Sequence, residues 1–376
     1  MCGIIGVTGA DDALPLLLDG LARLEYRGYD SAGVALVTAD GLWRRRAAEG
    51  THSVGDLRAF DDDAPPANAT GIGHTRWATH GKPTERNAHP HLDCAGRLAV
   101  VHNGIIENHA ELSAELSADG HVMASETDSE VLAHLIEAET VTGVSLTDAV
   151  RRALRRVRGT FAVAVVHLDQ PDLVVGARRI SPLIVGVADG ASYLASDIPA
   201  LLGSTRRLFA LEDDQLVELR PGTLRVTTLD GHRAEPTALT VDWEAAATRQ
   251  GGYDDFMTKE IHEQPEAVAA TLRHRLKADG TLVLDEAAGL GADDLRSIER
   301  VCIVACGSSY HAGLVAKFAI EQWAGLPTEV DIASEFRYRQ PILHDRTLTI
   351  GVSQSGETVD TLQGLREARG RGAKTL

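Results

Sequence analysis

The rhythm of apolar segments changes once along this chain, and that change constrains the fold more than any compositional figure. Over about the first 235 residues, short apolar runs recur at close intervals with few helical patterns between them. Strands are predicted at Gly3–Val7, Ala32–Val37, Gly71–His74, Leu98–Val101, Phe161–His167, Leu173–Ala177, Leu183–Val187, Gln215–Leu219 and Leu224–Thr228. Leu14, Leu17, Leu18, Leu21 and Leu24 recur at helical spacing behind Asp12, and further helices are predicted at Asn108–Leu116, Asp128–Glu139 and Ser145–Val157. Many strands beside few helices give a layered α+β domain.

From Glu235 to about Thr258 the pattern weakens around Pro236 and the Gly251-Gly252 pair, as expected of a connector over residues 236–258. A helix is predicted at Lys259–Lys277. Strand and helix then alternate: strand Arg300–Ala305, helix Tyr310–Trp323, strands Thr328–Ile332 and Thr347–Val352, and helix Thr358–Arg369. That alternation is the grammar of a parallel α/β sheet. The closing Ala373-Lys374-Thr375-Leu376 reads as the start of a fourth strand, so the second domain, 259–376, is expected to be incomplete. A length of 376 residues suits two domains or three small ones.

With 44% hydrophobic and 24% charged residues, the composition is that of a globular protein. The 37 basic and 54 acidic residues leave a net charge of −17, which argues against a phosphate-tracking nucleic-acid surface. Four cysteines (Cys2, Cys94, Cys302, Cys306) are too few for a disulfide framework, and the start has neither the basic leader nor the apolar length of a secretion signal. No apolar run reaches the roughly 18 residues of a membrane span. A reducing cytoplasm is the expected compartment.

Cys2 is the most informative residue. Removal of Met1 before a small side chain leaves a thiol and a free α-amine on one residue. With pKa values of about 8.5 and about 7.7–8, the amine can take the thiol proton, directly or through a water, without a catalytic histidine. The alternative is a small residue opening a buried strand. The segment His74-Thr75-Arg76-Trp77-Ala78-Thr79-His80-Gly81 gathers a guanidinium, an indole and hydroxyls in one turn. Arg76 can hold an α-carboxylate in a bidentate fork, and Asp128 can pair with an α-ammonium. Taken singly, Arg76 reads as a surface ion-pair residue and Asp128 as a helix N-cap. Asn103 and Gly104 follow a strand, where Asn-Gly is either a tight turn or an oxyanion hole built from one side-chain amide and one backbone N–H.

In the second domain two strand-to-helix loops are rich in small hydroxyl residues, Cys306-Gly307-Ser308-Ser309 and Ser353-Gln354-Ser355-Gly356-Glu357-Thr358. Either loop alone reads as ordinary capping; together they suit a phosphate monoester. Neither carries a dinucleotide or nucleoside-triphosphate pattern, and no cofactor is expected. His89-Pro90-His91 invites a metal reading, but an extended segment would send the two rings to opposite sides, so no metal site is expected.

Assembled, these segments resemble the glutamine–fructose-6-phosphate aminotransferase (isomerizing) family. The resemblance rests on Cys2-Gly3-Ile4-Ile5-Gly6, Leu24-Glu25-Tyr26-Arg27-Gly28-Tyr29-Asp30-Ser31-Ala32-Gly33, His74 to Gly81, His102 to His109, Ser125 to Asp128, Glu335 to Arg339 and Ser353 to Thr358. It implies an α+β N-terminal-nucleophile hydrolase layered sandwich over 2–235, followed by an incomplete α/β parallel-sheet sugar isomerase (SIS) domain. Glutamine is cleaved by the first domain, and the ammonia passes to fructose 6-phosphate to give glucosamine 6-phosphate. The resemblance makes Cys2 the nucleophile and Asn103 and Gly104 the oxyanion hole. It puts Arg76, Thr79, His80 and Asp128 around the glutamine and Trp77 at the ammonia passage. Ser309, Ser353, Gln354, Ser355 and Thr358 hold the sugar phosphate, with Ser308 nearby. It further implies a homodimer for the complete enzyme.

Family members continue through the rest of this lobe, a second lobe and a tail that supply the isomerisation residues, so amino-sugar formation by this chain is expected to be impaired or absent. Apolar faces left bare by the missing lobes are expected to invite aggregation or a partner. Two other readings are other amidotransferases with an N-terminal cysteine and a non-catalytic sugar-phosphate sensor. The former would need a pyrophosphate-ribose or ATP pyrophosphatase loop, which neither serine-rich loop resembles.

Overall fold

The structure, a computed structural model, describes residues 2–48, 53–59, 68–78, 81–141, 143–240, 253, 256–273, 275–276, 279–280, 290–354, 356 and 358–376. The chain divides into two compact units, Met1–Phe256 and Met257–Leu376. Among the described residues no helix is long and apolar enough to cross a membrane.

Alternation within the strands of the first unit dictates its layering. In Gly159–His167, Phe161, Val163 and Val165 face one way and Ala162, Ala164 and Val166 the other, and all six are buried. A strand buried on both faces must lie inside a sandwich covered by a further layer. The first set packs on helices His109–Ala118, Glu130–Thr140 and Leu146–Arg156 through Leu112, Val131, Leu135, Val150 and Leu154. The second meets Ile4, Ile72 and Leu194 of the facing sheet. That sheet's other face, with Ile5, Val7 and Val34, packs on helices Ala13–Ala22 and Ser53–Arg58. The order is helix, sheet, sheet, helix.

One sheet runs Thr237–Leu239, Leu208–Ala210, Ile184–Ala188, Ala191–Ala195, Gly3–Thr8, Thr70–Arg76, Ser31–Thr38, Gly41–Ala48. The other runs Arg233–Ala234, Thr223–Thr228, Gln215–Arg220, Gln170–Arg179, Gly159–His167, Leu98–Ile106, His91–Leu92. The strand pairings described within both sheets are antiparallel.

Several short or polar strands went unread in the sequence: Gly41–Ala48 carries Arg44-Arg45-Arg46, and Ala191–Ala195 has no β-branched residue. Thr237–Leu239, inside the stretch read as connector, pairs with Leu208–Ala210; three residues after a proline are too short to show a period. Leu98–Ile106 continues through Asn103 and Gly104, so the Asn-Gly tight turn is not formed: Asn103 pairs with Ala162 and Gly104 with Phe161.

In the second unit a parallel sheet runs Thr328–Ile332, Arg300–Ala305, Thr347–Val352, Lys374–Thr375. Helix Gly307–Ala324 covers one face through Ala316 and Ile320, and Ala333–Tyr338 and Val359–Gly370 cover the other through Phe336 and Ala368. Helix Phe256–Arg273 spans most of the predicted Lys259–Lys277; Lys277 lies outside the described residues. Val315, Phe318 and Trp323 on Gly307–Ala324 are exposed.

Phe161 is fully buried while Val141 is 84% exposed. Phe161→Ala is expected to cost about 3–5 kcal/mol of stability, and Val141→Ala less than about 0.5 kcal/mol, measured by urea unfolding of the full chain.

Candidate active site

Strand pairing delivers Cys2 to its neighbours. Gly3 pairs with Thr75, so Cys2 falls opposite the end of Thr70–Arg76, where the Trp77 amide donates to the Cys2 Sγ at 3.2 Å. The approach is so close that a Cβ on Gly3 would meet Thr75 Oγ1 at 2.5 Å and Leu24 Cβ at 2.7 Å. Burial pushes the Cys2 thiol up, opposed by the Trp77 backbone and the charge of Arg76. On the facing sheet, Asn103 Nδ2 donates to the Cys2 carbonyl at 2.9 Å. Gly104 has φ +137°, and a side chain there would strike Thr160 O at 2.1 Å, so the position admits only glycine and keeps the backbone bare.

Arg76 is buried rather than at the surface, which corrects the surface ion-pair reading. Its guanidinium donates to Lys82 O at 3.1 Å and Gly81 O at 3.2 Å, and Cys2, Asp128 and Asp30 all act on its charge. Asp128 does not cap the following helix, which starts at Glu130 behind Ser129. Its Oδ2 accepts from Ile106 N at 2.8 Å, which ties it to the end of the Asn103-Gly104 strand. Trp77 is 45% exposed, with Tyr29 edge-on at 5.5 Å between ring centroids. Thr79 and His80 lie outside the described residues.

Sequence reasoning gave no role to Asp30 or to a set of buried histidines. Asp30 Oδ2 accepts from Ala78 N at 2.8 Å and its own amide donates to Arg76 O at 3.0 Å, bracketing the Trp77 turn. Its signal was present in the Leu24-to-Gly33 motif, which carried only a resemblance. His74 Nε2 lies 2.9 Å from Asn103 Oδ1; with Asn103 Nδ2 already donating, His74 is the donor that fixes the amide's orientation. His102 Nδ1 meets Ser129 Oγ at 2.8 Å, and His91 Nε2 meets Thr127 Oγ1 at 3.0 Å. His89 lies between the rings of His74 and His91, at centroid distances of 4.0 and 4.6 Å. The rings of His89 and His91 therefore pack together instead of diverging, because only His91 enters a strand, His91–Leu92.

In the second unit the two serine-rich loops come together. The strands that precede them pair in parallel, Ala305 with Val352, so both loops leave the same edge of the sheet. Arg300–Ala305 has the next strand in sequence on one side and the third on the other. Such a reversal of strand order opens a crevice at the carboxyl ends. Ser308 and Ser309 lie in the first turn of helix Gly307–Ala324, behind Cys306. Ser353 Oγ lies 2.8 Å from Thr358 Oγ1 and accepts from Gly356 N at 3.1 Å, while Thr358 stands at the N-cap position of helix Val359–Gly370 without a side-chain capping bond. Gln354 is exposed, and Ser355 lies outside the described residues.

Residues 74–203 match the glutamine amidotransferase domain family and residues 294–376 the SIS domain family. The glutamine--fructose-6-phosphate aminotransferase [isomerizing] of Streptomyces coelicolor is 53% identical over 380 residues, covering 100% of this chain and 61% of that protein. The Thermus thermophilus protein of the same name is 49% identical over 377 residues, with the same two coverages. The chain thus spans 61% of the length of these relatives. Among solved structures, the glutamine phosphoribosylpyrophosphate amidotransferase of B. subtilis superposes with a TM-score of 0.53 at 18% identity, over 93% of this chain and 75% of that one. A second, titled the allosteric regulatory enzyme of purine biosynthesis, gives 0.56 at 17% identity over 100% and 80%. At such identities these two share the fold.

The two units are an N-terminal-nucleophile amidotransferase sandwich and a parallel α/β sheet of the SIS type. Over its whole length the chain is similar to the glutamine--fructose-6-phosphate aminotransferases, with a glutamine amidotransferase domain followed by a SIS domain.

Burial pushes His74 and His91 down to about 3 and lowers His89 and His102 as well. Free histidine titrates near 6.5, so below that pH the unfolded chain binds protons that the folded chain refuses. The stabilisation is complete above about pH 6.5 and is lost as the pH falls towards 3, by up to about 1.4 kcal/mol per pH unit for each histidine. Urea unfolding at pH 7 and pH 5 is expected to show lower stability at pH 5, and His91→Gln to flatten that dependence. A stability unchanged between the two pH values would contradict this.

Proposed function

We propose that this chain cleaves the side-chain amide of glutamine at Cys2. The observation that carries the reading is the convergence of the Cys2 sulfur, the Trp77 amide, the Asn103 carboxamide and the bare Gly104 backbone from two facing sheets. With Met1 removed, the Cys2 α-amine accepts the thiol proton. The thiolate then adds to the amide carbon, and the oxyanion takes hydrogen bonds from Asn103 Nδ2 and Gly104 N–H. The ammonium returns its proton to the departing nitrogen, the C–N bond breaks and ammonia leaves. Water hydrolyses the thioester to glutamate and restores the thiol. Arg76 receives the substrate's α-carboxylate and Asp128 its α-ammonium, with Thr79 and His80 completing the pocket.

In a chain of the relatives' full length, of which this one spans 61%, we assign the ammonia to the amination of fructose 6-phosphate, the substrate in the name of the relatives. Ser309, Ser353, Gln354, Ser355 and Thr358 are assigned to its phosphate, Ser308 lying nearby. Two helix N-termini at one sheet edge supply the backbone donors. A reducing cytoplasm suits the reaction, since the nucleophile must stay a free thiol.

Glutamate release measured on the full chain tests the first step. Cys2→Ala is expected to abolish it, and Asn103→Ala to lower kcat by roughly 10²–10³; Cys2→Ala turning over like the parent would refute the assignment. For the second site, calorimetry with fructose 6-phosphate is expected to show Ser353→Ala weakening binding by about tenfold, as for the loss of a hydrogen bond to a charged group. An unchanged Kd would remove Ser353 from the phosphate site.

A further inference from the structure

Away from the Cys2 site, the first unit gathers a thiol, two imidazoles and a carboxylate around one point. Cys94 lies between the His91–Leu92 and Leu98–Ile106 strands, His121 follows the His109–Ala118 helix, and His134 and Glu137 stand one turn apart on Glu130–Thr140. One ligating atom from each of the four lies within 4.8 Å of every other. Cys94 Sγ is 3.5 Å from His121 Nδ1 and 3.4 Å from His134 Nδ1. Glu137 Oε2 is 2.9 Å from His121 Nδ1 and 3.2 Å from His134 Nδ1.

The two sulfur-to-nitrogen separations match a tetrahedron's edges, while the two oxygen-to-nitrogen ones are shorter, at hydrogen-bond distance. With metal–sulfur bonds of about 2.3 Å and metal–nitrogen or metal–oxygen bonds of about 2.0–2.2 Å, ligand atoms around zinc stand roughly 3.3–3.6 Å apart. Both histidines offer the same ring nitrogen, Nδ1, and neighbouring groups support the ligands. His134 Nε2 lies 3.7 Å from Glu130 Oε1, an ion-pair distance rather than a hydrogen bond. Glu137 Oε2 also accepts from the Cys94 amide at 3.1 Å, and Glu130 is held by the amides of Ala124 and Ser125 at 2.7 and 2.6 Å. Without a cation, a thiol and a carboxylate oxygen each make close contact with the same two imidazole nitrogens. A cation satisfies all four atoms at once.

We propose that Cys94, His121, His134 and Glu137 bind a structural zinc ion. A thiolate and two imidazoles select zinc over calcium or magnesium, and four protein ligands close the coordination sphere, as in structural rather than catalytic sites. His121 and His134 bracket the segment that carries Asp128 and Ser129, so the ion would anchor both ends of that segment to the Cys94 turn. The proposed ligands come from three separate elements, and only His134 and Glu137 are neighbours in sequence. The inference does not rest on the proposed glutaminase reaction.

The test uses the full chain prepared without metal-affinity steps, loaded with zinc alone, dialysed and measured by plasma mass spectrometry. About one zinc per chain is expected. Cys94→Ser and His134→Gln are expected to retain roughly tenfold less or lower still, while Cys2→Ala, which removes the other candidate thiol of this unit, keeps the full amount. Cobalt(II) in the unaltered chain should give sulfur-to-metal charge transfer and intense tetrahedral visible bands, which reads the site even if a variant fails to fold. A chain that retains no zinc, variants that retain it undiminished, or an octahedral cobalt spectrum without sulfur bands would each overturn the proposal.

Discussion

The pairing of Gly3–Thr8 with Thr70–Arg76 is the contact on which the proposed chemistry of Cys2 depends. Its register, Gly3 opposite Thr75, sets the Cys2 sulfur against the Trp77 amide. A slip of one residue would exchange the two faces, turning Ile5 and Val7 from the helix layer to the sheet-to-sheet layer and Ile4 the other way. Since both faces are buried, such a slip is opposed along the whole strand. The glycine at position 3 is part of the same constraint, because no side chain fits between Thr75 and Leu24. Core packing therefore holds Cys2, one residue before the strand, at a fixed place.

The opposing sheet contributes in the same way. Asn103 and Gly104 lie inside a strand, and their pairing with Ala162 and Phe161 fixes the backbone from which one amide and one N–H are presented. Behind them, His74 orients the Asn103 side chain, and burial keeps that histidine neutral. A neutral imidazole can donate from Nε2 without placing a second positive charge beside Arg76. Pre-set donors of this kind need no reorganisation when charge develops on a substrate. The cost is a group of buried histidines whose protonation opposes folding.

Much of this was legible in the sequence, and the boundary of legibility is physical. Long apolar strands such as Phe161–His167 and helices with a full period, such as Leu146–Arg156 behind Ser145, declared themselves because burial sets their pattern. Gly41–Ala48 and Ala191–Ala195 did not, since their place in the sheet depends on pairing rather than on their own apolar period. Among the candidate site residues, Cys2, Arg76, Asn103, Gly104 and Asp128 were visible as unusual chemistry at motif positions; the first four come from the two facing sheets, and Asp128 from the loop before Glu130–Thr140. The hydrogen bonds of Asp30 and His74 were not legible even though both stand in motifs that carried the resemblance, because each reaches a partner distant in sequence, Asp30 to Ala78 and His74 to Asn103. In the second unit, the repeated strand-to-helix serine loops were legible, while their adjacency required the parallel register of Ala305 with Val352.

The central claim is that the Cys2 sulfur forms a covalent bond to the substrate. Acid-quenched single turnover with carbon-labelled glutamine, followed by peptide mass analysis, tests it directly. The account requires a glutamyl adduct on the peptide that begins with Cys2, its α-amine free. Turnover with that peptide unlabelled, or with the label on Cys94, Cys302 or Cys306 instead, would contradict it.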